Sequence, residues 1–254
     1  MDTKAYLERI NYQGSLAPTA ETLRGLQVAH LLAVPFENLS IHAGQPIVLE
    51  DEALFAKIVE RRRGGFCYEA NGLFAALLRA LGFAVRMLSA GVADAEGGFG
   101  PDFGHMALLV TTPGRRWLVD VGFGDSFREP LVLDERGEQV QDGGRAYRIL
   151  PDGAHLILAR RDEGDEWKAQ YRFTLQTYEY PDYAGMCRYH QTSPQSHFTR
   201  ARVCSRATER GRVTLSEMRF IETTERGERG ERAVTSQEEY AALLREHFGI
   251  VMAN

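Results

Sequence analysis

Between Phe83 and Tyr180 the chain runs through six strand-like segments with no helical pattern between them: "AVRMLSAGVA", "HMALLVTT", "RWLVDVGF", "AYRIL", "HLILARR" and "YRFTLQTYEY". Consecutive strands joined only by glycine and proline turns pair antiparallel, because a parallel pair needs a long crossover. This block therefore predicts an antiparallel sheet or barrel and argues against a doubly wound parallel fold. No GxGxxG or P-loop pattern opens a helix anywhere, in keeping with that.

The residues before Phe83 read as helices. "TKAYLERI" places Tyr6, Leu7 and Ile10 on one face. "PTAETLRGLQVAHLLAV" offers Thr19 as a cap and ends at Pro35, and "DEALFAKIVERRR" runs from acids to bases, as the helix dipole favours. A helix over 67–81 carries Leu73, Phe74, Leu77, Leu78 and Leu81 as its apolar stripe and stops at Gly82. After the strands, "RVTLSEMRFIETTERGERGERAVT" reads as two strands joined by the charged turn "ERGERGER". "SPQSHFTRARVCS" offers a short helix after Pro194, and "SQEEYAALLREHFG" is a closing helix capped by Ser236. The predicted fold class is α+β, divided into a helical unit at 1–83, a β-barrel at 84–188, and an interdomain segment with an α/β lid at 189–254.

Composition excludes several functions. The 254 residues carry a net charge of −5, so no global basic footprint for nucleic acid exists. No apolar run reaches the length of a membrane span, and the charged N-terminus lacks the pattern of a secretory signal. Three cysteines, at 67, 187 and 204, make no disulfide framework. The expectation is a cytoplasmic protein with free thiols.

One thiol is placed differently from the others. In "RRRGGFCYEANGLF" Cys67 falls where a glycine turn becomes a helix N-terminus, close to Arg63. Helix N-termini and neighbouring cations lower a thiol's pKa and make it nucleophilic. A nucleophilic cysteine needs a base, and the base needs an orienting group. His105 opens an apolar strand straight after a glycine-rich loop, and Asp120 ends the next one in "WLVDVGF", where a carboxylate needs a partner if buried. The turn between the strands makes His105 and Asp120 cross-strand neighbours. Cys67, His105 and Asp120 thus form a candidate triad suited to acyl transfer, proteolysis or transglutamination. Cys187 and Cys204 lack this setting and read as structural. Close-spaced metal-ligand pairs such as C-x₂-C are absent, and no metal is expected.

"RRGGFCYEANGLF" resembles the R-G-G-aromatic-C-x-E-x-N signature of the arylamine N-acetyltransferases. "VPFENLSIHAGQPIVL" at 34–49, "GHMALLV", "LVDVGFG" and "QTSPQSHFTRARVCS" are similar to further blocks of that family, and the resemblance runs from about residue 5 to 205. Ala70 stands where bacterial members often carry histidine. The resemblance implies a cysteine-protease-like catalytic core and no tightly bound cofactor. Acetyl-CoA would be the acyl donor, and arylamines, arylhydroxylamines or hydrazines the acceptors, in a ping-pong mechanism through acyl-Cys67. It places the loop "GFGDSF" along the acetyl-CoA cleft, with Gly124 and Ser126 as donor contacts and Ser196 and Phe198 beside them. Phe36 and Phe123 are expected to line the acceptor pocket, and Arg63 and Glu37 to form a supporting ion pair. Some relatives close macrolactams as amide synthases, and a papain- or transglutaminase-like hydrolase would use the same Cys-His-Asp order.

Overall fold

The computed structural model describes residues 1–141 and 143–251. Its helical part comprises α1 (Thr3–Arg9), α2 (Ala20–Ala33), the short strand β1 (Phe36–Glu37), α3 (Leu39–His42), α4 (Asp51–Phe55) and α5 (Cys67–Ala80). Thr19 caps α2 as expected, its side chain accepting the Thr22 N–H. The predicted helix over 51–63 is shorter: α4 gives way to a π-helical turn at Ala56–Glu60. Asn-free as it is, the following RRGG segment then turns on two close contacts. A Cβ on Gly64 would lie 1.9 Å from the Pro35 carbonyl, and one on Gly65 2.6 Å from Glu69 Cβ. Only glycine allows this loop to lie against 35–37, where Gly65 bridges Phe36 and accepts the Glu37 N–H.

Eight antiparallel strands follow: β2 (Ala84–Val92), β3 (His105–Thr112), β4 (Arg115–Val119), β5 (Leu131–Val132), β6 (Gln139–Val140), β7 (Ala146–Asp152), β8 (His155–Arg161) and β9 (Lys168–Tyr178). Their order is β5-β4-β3-β2-β9-β8-β7-β6. The two edges meet through a side chain: Gln139 of β6 accepts the Val132 N–H at 2.7 Å and donates to the Val132 carbonyl at 3.0 Å. The result is a nearly closed barrel. Strands β2 and β3 are covered on both faces. Val85, Met87, Met106, Leu108 and Val110 pack into the helical core, while Leu88, Ala90 and Ala107 face the barrel interior with Tyr147, Tyr171 and Phe173. Two covered faces explain the unbroken apolar run of "HMALLV".

The chain then departs from expectation. Residues read as strand up to Tyr180 pass directly into a helix, α6 (Tyr180–Thr192), so the boundary expected after residue 188 falls inside a helix. Helix α7 (His197–Arg200) supplies the short helix expected after Pro194. The region read as two strands holds three, β11 (Gly211–Ser216), β12 (Arg219–Thr224) and β13 (Arg229–Ala233), after β10 (Val203–Thr208). The first hairpin turns at Glu217, in left-handed backbone at φ 48, and Met218. The charge run is therefore a turn plus the wholly exposed edge strand β13. Charges on an edge strand discourage pairing with another chain. With β1 these strands form a second sheet, β1-β10-β11-β12-β13, on which α8 (Gln237–Phe248) packs Tyr240, Leu243, Leu244 and Phe248.

Candidate active site

Cys67 is the first residue of α5, so its thiol stands at the helix start, and the Glu69 carboxylate closes that start by accepting the Phe66 N–H at 3.1 Å. His105 is the first residue of β3, and Asp120 follows the last residue of β4. The β3–β4 register pairs Leu108 with Val119, so Asp120 is not opposite His105 but diagonal to it, on the same face. The diagonal closes a hydrogen bond, His105 Nε2 to Asp120 Oδ2, at 2.7 Å. A carboxylate only accepts, so Nε2 is the donor in this bond. Cys67, His105 and Asp120 are 2%, 3% and 2% exposed, so all three are buried.

Asn71 joins the three segments, a role the sequence reading missed. Its Nδ2 donates to the Met106 carbonyl at 2.7 Å and to Asp120 Oδ1 at 2.9 Å, and its Oδ1 accepts the Val121 N–H at 2.9 Å. The available signal was its position four residues after Cys67, on the same helix face. Asp120 Oδ1 also accepts the Gly122 N–H at 2.9 Å. Gly122 lies directly on α5, where a Cβ would come within 2.7 Å of Cys67 Cα. Tyr171 is a second residue the sequence did not flag. It is fully buried, its ring 5.1 Å from His105, and burial together with the facing Asp120 pushes its hydroxyl pKa well up.

The structure withdraws Arg63 from the expected activation of Cys67 and leaves the helix start. Burial pushes the thiol pKa up, Asp120 and Cys187 add to this, and only backbone N–H groups of Met106 and Tyr68 oppose it. Arg63 does not contribute, because it is spent on Glu37, with Nη2 at 2.9 Å and Nε at 3.1 Å from Oε1. Lys57 stands 3.7 Å from the same oxygen and 2.7 Å from Glu69 Oε1. The expected Arg63–Glu37 pair is thus one half of a buried four-charge network under the cysteine loop.

The remaining candidates spread around the triad. Phe123 meets the His105 ring edge-on at 5.1 Å, and Gly124, at φ +93, faces Phe36. Phe36 and Phe198 rings are 6.2 Å apart, and Phe198 packs edge-on to Phe66, the residue before Cys67. Ser196 caps α7 and meets His190 Nδ1 at 3.1 Å, so its hydroxyl is committed within the protein. Ser126 Oγ is buried and finds no hydrogen-bond partner among the described residues. Among those residues no group of three or more His, Cys, Asp or Glu is arranged to hold a metal ion, and no helix is long and apolar enough to cross a membrane.

The family model described as N-acetyltransferase matches residues 19–254. The chain belongs to the arylamine N-acetyltransferase family. The arylamine N-acetyltransferase of Mycolicibacterium smegmatis is 39% identical over 220 residues, covering 85% of this chain and 80% of that protein. Proansamycin X synthase of Amycolatopsis mediterranei is 33% identical, and the match covers 96% of this chain and 95% of the synthase. Among solved structures of the family, Mycobacterium marinum arylamine N-acetyltransferase in complex with CoA matches with a TM-score of 0.91 at 36% identity, over 98% of this chain and 93% of that one. The α+β barrel architecture is therefore that of the arylamine N-acetyltransferases.

Proposed function

We propose that this chain is an acetyl-CoA-dependent arylamine N-acetyltransferase working through an acyl-Cys67 intermediate, with arylamines, arylhydroxylamines or hydrazines as acceptors. The observation that carries the reading is the His105 Nε2–Asp120 Oδ2 bond at 2.7 Å beside the start of α5, because it leaves Nδ1 to serve the thiol. The CoA complex of the Mycobacterium marinum relative supports the donor.

In the first half-reaction His105 Nδ1 takes the Cys67 proton and the sulfur attacks the thioester carbonyl. The Cys67 N–H, at the helix start, faces the developing oxyanion. The tetrahedral adduct collapses, the C–S bond to CoA breaks, and the imidazolium returns its proton to the leaving thiolate. In the second half-reaction the acceptor nitrogen attacks the acyl-cysteine, His105 accepts its proton, and Cys67 is released. Asp120 holds the imidazole tautomer and stabilises the imidazolium, a role that sustains general-base catalysis worth about 10²–10⁴-fold. Once the proton has passed to His105, Cys67 attacks as a thiolate paired with the imidazolium.

In this reading residues 1–83 supply the nucleophile, 84–188 the base and its carboxylate, and 189–254 cover the donor and acceptor sites. The unpartnered Ser126 Oγ and the peptide groups around Gly124 face the donor, with Ser196 and Phe198 beside them; Phe36 and Phe123 face the acceptor ring. Three free cysteines suit a reducing cytoplasm, and small aromatic amines as acceptors suit xenobiotic metabolism.

The deciding experiment is intact-protein mass spectrometry after brief mixing with acetyl-CoA alone, beside Cys67→Ala. One acetyl group on the wild type, absent from the variant and discharged by an arylamine, is expected. A thiol that alkylates but takes no acetyl group would overturn the choice of donor. A second reading, an amide synthase of macrolactam formation, is supported by the 33% identity to proansamycin X synthase over 250 residues. It predicts acylation of Cys67 by a bulky aromatic-chain thioester and none by acetyl-CoA.

A further inference from the structure

The loop that leaves β4 beside Cys67 ends in a second charged cluster, which the chemistry above does not use. Asp125 is at its centre. Oδ1 accepts from Arg145 Nη1 at 2.7 Å and Arg212 Nε at 3.2 Å, and Oδ2 accepts from Arg160 Nη1 at 3.3 Å and Arg145 Nη2 at 3.4 Å. Arg160 Nη1 also reaches the Asp125 carbonyl at 3.2 Å. The three arginines come from different places. Arg160 lies on β8, Arg145 directly precedes β7, and Arg212 lies on β11 of the second sheet. Arg145 and Arg160 share Asp162 as well, at 3.0 and 3.1 Å, whereas Asp125 is the only carboxylate paired with Arg212 among the described residues.

This cluster sits one short step from the triad. Two residues before Asp125, the Phe123 ring meets both His105, at 5.1 Å, and Tyr171, at 5.3 Å. Gly124 between them has φ +93, a backbone state that most side chains avoid, so the direction in which the chain runs from Phe123 to Asp125 is set at a glycine. Burial alone would raise the Asp125 carboxyl, but Arg212, Arg145 and Arg160 outweigh it and take it down to about 2, so the cluster stays charged at neutral pH. Guanidinium groups meeting a carboxylate fix direction as well as distance.

We propose that Asp125 is a positioning residue for acceptor selection: by gathering Arg145 and Arg160 of the barrel side and Arg212 of the second sheet, it fixes loop 121–127 and holds the Phe123 ring against His105. The proposal rests on Cys67, His105 and Asp120 being the reacting centre. Loss of the clamp frees the aromatic wall, while Asp120 keeps its own bonds to Asn71 and Gly122. The same loop carries Gly124 and Ser126, which face the donor in the proposed function, so acyl transfer to sulfur slows as well; the part played in acceptor selection shows in how the loss varies with the size of the acceptor ring.

The test uses Asp125→Asn, Asp125→Glu and Arg212→Gln, with the Asp125→Asn/Arg212→Gln pair. The arylamine KM is expected to rise about tenfold in Asp125→Asn and to recover partly in Asp125→Glu. The rate constant of Cys67 acylation by acetyl-CoA is expected to fall too, but independently of the acceptor, whereas the KM rise is expected to differ between one-ring and two-ring arylamines. The double variant is expected to match the worse single variant, because both remove one clamp. An acceptor KM within about twofold of wild type in both Asp125→Asn and Arg212→Gln would overturn the proposal. So would proportional losses in KM, kcat and melting temperature, which mark a merely structural role; Arg212→Gln, which leaves Asp125 two arginines, serves if Asp125→Asn does not fold. If wild type takes no acetyl group, the functional reading fails separately. The clamp is then tested by alkylating Cys67 with N-phenylmaleimide and N-methylmaleimide: a changed rate ratio in the variants supports it, and an unchanged ratio overturns it.

Discussion

Asn71 Nδ2 donates to Asp120 Oδ1 at 2.9 Å, tying the helix that carries the thiol to the carboxylate that orients the imidazole. The same amide holds the Met106 carbonyl and the Val121 N–H, so one side chain sets the relative places of α5, β3 and the loop after β4. Asn71→Ala leaves those buried groups unpaired, each costing about 1–3 kcal/mol. The expected outcome is a clearly lowered melting temperature and Cys67 acylation slowed about 10²-fold through misplacement. Calorimetry and single-turnover mass spectrometry check the two parts.

Gly122 and Gly185 respond to alanine in opposite directions. At Gly122 the new Cβ would lie 2.7 Å from Cys67 Cα and 3.0 Å from the Cys67 carbonyl oxygen, backbone atoms that cannot turn aside. Overpacking of this kind costs about 1–3 kcal/mol, and here it pushes on the nucleophile itself. Gly185 lies exposed within α6 with nothing within 4 Å of its Cβ position, and Gly185→Ala is expected to gain about 1 kcal/mol of helix propensity. Denaturant midpoints of the two variants, together with Cys67 alkylation rates for Gly122→Ala, measure the contrast.

Glu37→Gln removes the anion that Arg63 and Lys57 share. Glu37 is wholly buried and also accepts the Leu39 N–H at 2.6 Å. Burial alone would raise its pKa; Lys57 and Arg63 more than reverse that. Breaking such a buried arrangement from one side costs about 3–5 kcal/mol, and chemical denaturation should show a loss of that order. A loss under about 1 kcal/mol would mean that Lys57 and Glu69 compensate within the network.

Stability is expected to fall on both sides of neutrality, for opposite reasons. Burial takes His30 down to about 3 and His190 to about 4, the latter helped by His197. An unfolded histidine binds its proton at about 6.5, so the unfolded chain gains protons the folded one refuses as pH falls below that value. The contribution of each histidine is whole above about 6.5 and drains away down to its folded value. On the alkaline side burial lifts Cys187 to about 12 and Tyr147 to about 12, so their contributions hold below the unfolded thiol and phenol values, about 8.5 and 10, and decline above them. Melting temperature against pH should form a plateau with both edges sloping, and His30→Gln should flatten the acid edge.

Strand β3 was legible to the residue because both its faces are covered and its apolar run is unbroken. Helix α5 was legible because a glycine pair precedes it and Gly82 follows it. Helix α6 was not: its segment "YPDYAGMCRYHQT" has no apolar stripe, buries only Tyr183, Cys187 and His190, and follows a strand with no break. The turn at Glu217–Met218 carries no glycine or proline, so the hairpin it makes was invisible. The triad's residue types and order could be read along the chain. Their diagonal geometry, the part played by Asn71 and the burial of Cys67 depend on packing between segments far apart in sequence.

The barrel's last seam is joined by the Gln139 side chain and not by a run of paired peptides. A second stitch lies beside it: Gln141 accepts the Arg128 N–H at 2.8 Å and donates to the Glu129 carbonyl at 2.7 Å. Parting β5 from β6 therefore takes the loss of both glutamines' bonds, and the stretch at Arg128 and Glu129 that Gln141 holds continues straight from the loop that leaves Asp120.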